Sequence, residues 1–196
     1  VAYEVRLPEA IDRGWLLPFH YFGIADETVD FLRIPWRKLN DVEDALSVEA
    51  RAEHVLRHAI ERGFDGPKRA TVGFCAGRKH AQFMADAFVR RGHAAVAVLG
   101  DQAVEQREEI YRRLADIDDP LQWVFVSDVL NEGVDIPSVN SVLFLRPTES
   151  ATLFLQQLGR GLRLSPGTEV LTVLDFVGHH RSARLTLNAL DSPSGG

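Results

Sequence analysis

The stretch Trp123-Val124-Phe125-Val126-Ser127-Asp128-Val129-Leu130-Asn131-Glu132-Gly133-Val134-Asp135-Ile136-Pro137 decides the fold. Its first four residues are a continuous apolar run, which reads as a buried strand. The run stops abruptly in small and acidic residues. Gly133 permits a positive φ or a close backbone approach, and Pro137 forbids helix continuation. In open α/β sheets, polar groups at the ends of parallel strands lie where ligands bind. A plain acidic loop would explain Asp128 or Asp135 singly, and explains the whole string less well.

The same grammar repeats outward along the chain. Thr71-Val72-Gly73-Phe74-Cys75-Ala76-Gly77-Arg78-Lys79-His80-Ala81 reads as a strand, a short turn and a helix with a polar start. The strand spans 69–75. The helix runs from about 78 to 91 on a stripe of Ala81, Met84, Ala85 and Phe88, and Gly92 ends it. Ala94–Leu99 is a buried strand. Asp101 reads as the cap of a helix to Ala115 with Ile110, Tyr111 and Leu114 inward. Upstream, Ser47 reads as the N-cap of a helix to Arg62, stopped by Gly63. Val48, Ala52, Val55, Leu56, Ala59 and Ile60 share one of its faces. Asp65-Gly66-Pro67 is turn chemistry. Downstream come a strand at Val139–Leu145, a helix capped by Ser150, a strand at Val170–Phe176 and a helix at His179–Leu190. Strands alternating with helices mean βαβ units: an α/β fold with a mainly parallel sheet and helices on both faces.

Residues 1–36 are apolar and interrupted by Pro8, Pro18 and Pro35, with a strand at Phe19–Ile24. They read as an N-terminal connector or extension. The charged residues 37–47 read as an irregular linker, 48–190 as the main domain, and 191–196 as a flexible Ser/Pro/Gly tail.

A second string, Leu155-Gln156-Gln157-Leu158-Gly159-Arg160-Gly161-Leu162-Arg163, carries chemistry. On a helix, Arg160 and Arg163 share a face. Guanidinium groups stay charged and match phosphate oxygens two at a time. A fixed pair suits charge stabilisation in phosphoryl transfer. Taken alone, the pair reads more simply as a solvated helix surface.

Together these strings resemble the C-terminal RecA-like domain of superfamily 2 helicases. The first is similar to motif V, the second to motif VI, and Thr71–Ala81 to motif IV. Val98-Leu99-Gly100-Asp101 followed by Gln106-Arg107 resembles the next strand and helix of that family. The likeness covers roughly residues 68–185. The spelling of the second string is nearest the restriction and repair branch. The resemblance implies that Arg160 and Arg163 reach the γ-phosphate of ATP bound on another domain, and that Gly133, Asp135 and Gln156 lie on the nucleotide side. It implies nucleic-acid contacts for Ser127, Asp128 and Gly77. Gln157 stands where many relatives have arginine and is assigned no phosphate. For Ser127 a strand-end hydroxyl capping its own loop is nearly as good a reading, and for Phe74 core packing is the better one.

ATP and Mg2+ are the implied cofactors, held mainly by an N-terminal RecA-like domain. This chain has no Gly-x-x-x-x-Gly-Lys-Ser/Thr string, and none of its glycines is followed by lysine. Gly73–Lys79 is a decoy, one residue short and with Arg78 where lysine belongs. Nor is there an Asp-Glu-x-His or Asp-Glu-Ala-Asp string for Mg2+. With a start at Val1, the expectation is a second motor domain belonging to a longer polypeptide. DNA is the expected partner ahead of RNA. A translocase without strand separation and a non-catalytic nucleic-acid-binding module are the alternatives.

Composition bounds the rest. The 196 residues carry a net charge of −6, which argues against a generally basic nucleic-acid binder but leaves room for a local groove. The single cysteine, Cys75, excludes a disulfide framework and reads as a small core residue. No apolar run reaches membrane-span length, so no membrane partner and a cytoplasmic location are expected. His54 and His58 have the spacing that lets two imidazoles share an ion, but nothing completes a site. They read as a solvated helix face, and no metal centre is assigned. His179-His180 with Arg181 and Arg184 reads as a small basic patch or a helix start.

Overall fold

A computed structural model describes residues 2–5, 18–31, 33–34, 38–127, 138–146 and 167–177. Seven strands form one sheet: β1 (Ala2–Val5), β2 (Phe19–Ala25), β3 (Thr71–Phe74), β4 (Ala95–Val98), β5 (Trp123–Val126), β6 (Ser141–Phe144) and β7 (Leu171–Val177). Their spatial order is β1-β2-β7-β6-β3-β5-β4. Every neighbouring pair from β2 to β4 is parallel, and β1 alone runs antiparallel, at the β2 edge. The described helices are α1 (Leu39–Leu46), α2 (Glu49–Arg62), α3 (Arg78–Arg90) and α4 (Val104–Ala115). This is the RecA-like α/β sheet with helices on both faces that the sequence implied.

The central strands β3, β5 and β6 are buried on both faces because their side chains alternate between two cores. On β5, Val124 and Val126 enter one core with Val72, Phe74, Val142, Phe144 and Val173, and Tyr111 and Leu114 of α4 cover it. Trp123 and Phe125 enter the other with Leu143, Leu145, Leu174 and Phe176, covered by α2 and α3 through Val55, Ala59, Met84 and Phe88. Cys75 is buried in this second core, as expected. Gly73 has the tightest fit: a Cβ there would lie 2.7 and 2.9 Å from the Phe125 ring. That ring is in turn edge-on to Phe88 at 4.9 Å. Glycine at this point lets an aromatic ring lie directly on the central strand.

Several local expectations need correction. The charged stretch 37–47 is largely helical: α1 buries Val42 and Leu46, four apart, together with Ile34. Its irregular look comes from a sparse apolar stripe, and tertiary contact supplies what propensity does not. Strand β2, read as part of a connector, pairs with β7 along seven residues of this same sheet. Ser47 caps the end of α1 rather than the start of α2, which begins after Val48 without a side-chain cap. Asp101 does not cap α4; its carboxylate pairs with Arg78 at 2.6 Å. Ile60 is exposed rather than inward. The helices expected after Ser150 and at His179–Leu190 lie outside the described residues.

Tyr21 and Asp175 join β2 to β7 inside the first core, the tyrosine hydroxyl donating to the buried carboxylate. The other carboxylate oxygen, Oδ1, has no hydrogen-bond partner among the described residues. Burial pushes the Asp175 carboxyl up to about 6, and the Tyr21 hydrogen bond only partly opposes it. Burial, then the neighbouring carboxylate, holds the Tyr21 phenol far above its usual range.

Two outcomes follow from this packing. Gly73→Ala forces a methyl against Phe125 in a core without slack, and should destabilise the domain by about 1–3 kcal/mol in denaturant unfolding. An unchanged midpoint would show that the ring moves freely. The raised Asp175 pKa means the folded state holds its proton more tightly than the unfolded chain does. Stability from this group is therefore fully present below the usual 3.8 and is lost as pH rises to about 6. The loss should reach about 3 kcal/mol at most, at about 1.4 kcal/mol per pKa unit. Asp175→Asn should flatten unfolding free energy between pH 4 and 6, and parallel pH profiles for parent and variant would refute the assignment.

Candidate functional site

The parallel strands all end at one edge of the sheet. There Cys75 N donates to Val126 O at 2.9 Å, Leu145 N donates to Phe74 O at 3.0 Å and Ser127 N donates to Val98 O at 3.3 Å. The ends of β4, β5, β3 and β6 are therefore hydrogen-bonded side by side. From the neighbouring strands β3 and β6 the chain continues in opposite directions, β3 toward β4 and β6 toward β7, so the topological switch of the sheet lies between them. Open α/β sheets bind ligands in the crevice at such a switch.

Both decisive strings leave from this edge. Residues 128–137 follow β5 and the stretch containing 155–163 follows β6. Asp128, Gly133, Asp135, Gln156, Arg160 and Arg163 themselves lie outside the described residues. Of the expected site residues, Ser127 and Gly77 are described. They stand at the ends of the neighbouring strands β5 and β3. Ser127 is buried, and its hydroxyl has no hydrogen-bond partner among the described residues.

Gly77 is the N-cap of α3 in an extended conformation that any residue can adopt, with φ −172°. A Cβ there would press on the Glu43 carboxylate, so a larger residue at this position displaces the end of that glutamate. Glu43 reaches in from α1 and accepts from Lys79 N at 2.7 Å, occupying part of the positive N-terminus of α3. The turn is closed further by His80, whose Nδ1 accepts from Ala76 N at 3.1 Å. Phe74 stacks on Phe144 with centroids 5.8 Å apart, a core role.

A buried ionic hub holds this edge together. Arg51 of α2 is fully buried, and its Nε donates to Asp26 Oδ2 at 2.7 Å. Its Nη2 donates to Leu145 O at 2.9 Å, and its Nη1 lies 3.1 Å from His80 Nε2. Asp26 also accepts from Thr28 N at 3.1 Å. Desolvation depresses the guanidinium, and Asp26 opposes it by charge and hydrogen bonding. One side chain thus ties the residues after β2, β3 and β6. Burial, then the nearby Arg51 charge, holds His80 well below its usual pKa, so its imidazole is neutral.

These residues were missed in the sequence. A signal for Arg51 existed: it stands four residues before Val55 and eight before Ala59, within the apolar stripe of α2. Glu43 gave no comparable signal. Arg107 is a further buried guanidinium, in the second turn of α4, whose Nε and Nη1 have no partner among the described residues. His54 and His58 are half-buried, not solvated, and pack edge-on to each other at 4.5 Å and against Phe176. Desolvation lowers both pKa values. Among the described residues no three His, Cys, Asp or Glu side chains are placed to hold a metal, and no helix is long and apolar enough to cross a membrane.

Comparison with known proteins matches this arrangement. The helicase conserved C-terminal domain model matches residues 52–165. IRC3 of Saccharomyces cerevisiae, which carries the name of an ATP-dependent helicase, is 23% identical across 91% of this chain and 26% of its own length. Its Schizosaccharomyces pombe counterpart, named a mitochondrial ATP-dependent helicase, is 30% identical across 94% of this chain and 30% of its own length. This chain thus spans under a third of the curated relatives it matches. The crystal structure of a DEAD box protein from the hyperthermophile Methanococcus jannaschii superposes with a TM-score of 0.57 at 15% identity, over 90% of this chain and 40% of that one. That likeness bears on the fold alone. The RecA-like sheet, the strand ends gathered at its switch point and the match over residues 52–165 together make this chain a member of the helicase conserved C-terminal domain family.

Proposed function

We propose that this chain is the second motor domain of an ATP-dependent nucleic-acid helicase of the restriction and repair branch, acting on DNA ahead of RNA. The observation that carries the reading is the hydrogen-bonded row of strand ends at β5, β3 and β6. The strands that precede the strings resembling motifs V and VI are the outer two of this row, and the motif IV turn follows the strand between them.

ATP and Mg2+ are held mainly by a first RecA-like domain of the same polypeptide. When bound there, they supply the phosphoanhydride and its charge neutralisation. The residues of this chain do the rest. Arg160 and Arg163 meet the γ-phosphate and stabilise charge that grows in the transition state. Gly133, Asp135 and Gln156 border the nucleotide. Ser127, Asp128 and Gly77 line the nucleic-acid track, whose contacts go to the sugar–phosphate backbone and read no sequence. Closure around ATP and reopening after hydrolysis shift one half of the track against the other. The cytoplasmic placement rests on composition alone; the S. pombe relative is named mitochondrial.

Arg160→Lys or Arg163→Lys in the full-length protein is expected to lower ATP turnover by roughly three orders of magnitude or more. Lysine keeps the charge and loses the planar fork. Unfolding free energy should stay within about 0.5 kcal/mol of the parent, as for a surface substitution. Steady-state kinetics beside thermal melts test this, and parent-like turnover in both variants would overturn the finger assignment.

Single strands should bind this chain weakly and without sequence preference, with affinity falling as salt rises. Binding titrations at several ionic strengths check it; strong base preference or indifference to salt contradicts a backbone track. This chain alone should not turn over ATP, since it lacks a phosphate cradle. Unwinding assays on the full-length protein separate a helicase from a translocase.

A further inference from the structure

The contacts of His80 pose a chemical conflict. A neutral imidazole has one N–H and one bare nitrogen, so it accepts one hydrogen bond at most. Yet both ring nitrogens face donors: Ala76 N at 3.1 Å from Nδ1, and Arg51 Nη1 at 3.1 Å from Nε2. Both cannot be satisfied at once. If Nδ1 is bare, it closes the turn after β3, and its Nε2–H opposes a guanidinium N–H. If Nε2 is bare, it accepts from Arg51, and Nδ1–H opposes the Ala76 amide. His80 has no solvent exposure, so water cannot relieve the losing side. Protonation does not help either, because it leaves two N–H groups against two donors.

The two competitors lead to different places. Ala76 belongs to the turn that resembles motif IV, on the nucleic-acid side. Arg51 grips Leu145 O, at the point where β6 gives way to the stretch carrying Arg160 and Arg163. We propose that His80 is a positioning residue that relays occupancy of the nucleic-acid turn to the strand end leading into the arginine stretch. The proposal rests on the function proposed above. A backbone phosphate arriving at the turn accepts the Ala76 N–H in place of Nδ1. As the turn opens to the phosphate, solvent takes the proton from Nε2 and returns one to Nδ1, and the bare Nε2 then accepts from Arg51. The guanidinium gains a partner and holds Leu145 and Asp26 more firmly. This is a bistable element that one site biases and the other reads.

Two substitutions separate the legs. In His80→Asn the side-chain oxygen replaces Nδ1 and falls short of Arg51. In His80→Gln the amide reaches Arg51 and leaves Ala76 without an acceptor. ATP turnover of the full-length protein is measured with and without single-stranded DNA. In both variants the factor by which DNA raises turnover should drop about fivefold or more, the lower end of ordinary coupling between sites. A purely structural histidine would lower the melt in proportion and leave that factor unchanged.

If DNA stimulates the parent and both variants alike, the relay is wrong and the proposed function stands. If DNA does not stimulate even the parent, the proposed function fails and takes the relay with it. Where a variant does not fold, the parent decides. Nitrogen-15 spectra of His80 should show Nδ1 moving toward the protonated type when single-stranded DNA is added, and a tautomer that does not move overturns the relay.

Discussion

The guanidinium of Arg51 is fully buried, and the carboxyl edge of the sheet is arranged around that fact. A buried cation is expensive unless charge and hydrogen bonds replace its hydration. Asp26 supplies the charge, Leu145 O a carbonyl, and His80 a shared nitrogen. These partners come from the ends of β2 and β6 and from the first turn of α3. None can shift far without leaving a buried donor or acceptor unpaired, which costs about 1–3 kcal/mol for a neutral group and more for a charged one. The hub thereby fixes the heights of the chain after β2, β3 and β6 relative to one another. Strand pairing alone fixes the strands and leaves the turns beyond them free.

The fold was largely legible, because its signals are local. Trp123–Val126, Ser141–Phe144 and Ala95–Val98 are apolar runs, and strands of four residues buried on both faces have little other way to appear. The inner stripes of α2 and α3 are periodic, with Gly63 and Gly92 in positive φ just past their ends. What stayed hidden depends on distant partners. Arg51 meets Asp26, His80 and Leu145 across 25, 29 and 94 residues. Glu43 is one carboxylate in a charged stretch until Lys79 N and His80 N select it from 36 and 37 residues away. The caps assigned to Ser47 and Asp101 failed for a related reason. Local residue type proposes a cap, and the fold overrules it: Asp101 pairs with Arg78 instead, and Ser47 is taken up as the C-cap of α1, its backbone N–H donating to Asp44 O. Of the candidate site, Ser127 and Gly77 can be judged by position, and the spacing of strings around β5 and β6 was the readable part.

The acidic balance of the chain and a nucleic-acid track need not conflict. Many carboxylates are spent on neighbouring arginines: Glu49 on Arg90 and Arg91, Glu109 on Arg112, Asp119 on Arg113. Partnering of this kind lowers the pKa of all three acids, first through the arginine hydrogen bond. Most of these side chains are at the surface, where such pairs contribute little to stability. They do set the local field, which a phosphate backbone senses within about 8–10 Å at ordinary salt. In the first turn of α3, Arg78 and Lys79 are exposed, their side chains pairing with the surface carboxylates Asp101 and Asp44 while Glu43 bonds Lys79 N. Net charge is an average over the surface, whereas a backbone track samples one edge of it.

Rigidity below that edge is what gives its turns consequence. Phe125 lies against Gly73, Phe88 lies against Phe125 and Trp123, and the strands beneath are bonded on both sides. A core packed to this density does not deform smoothly; it passes displacement to the elements that have two arrangements open to them. Among the described residues, the contact set that cannot be satisfied in a single arrangement at this edge is His80 with Ala76 and Arg51. A sheet bonded on both sides of β3, and a guanidinium that ties the first turn of α3 to the ends of β2 and β6, leave the proposed relay one place to act, the turn after β3. That turn lies between the strand ends from which the Asp135 and Arg160 stretches depart.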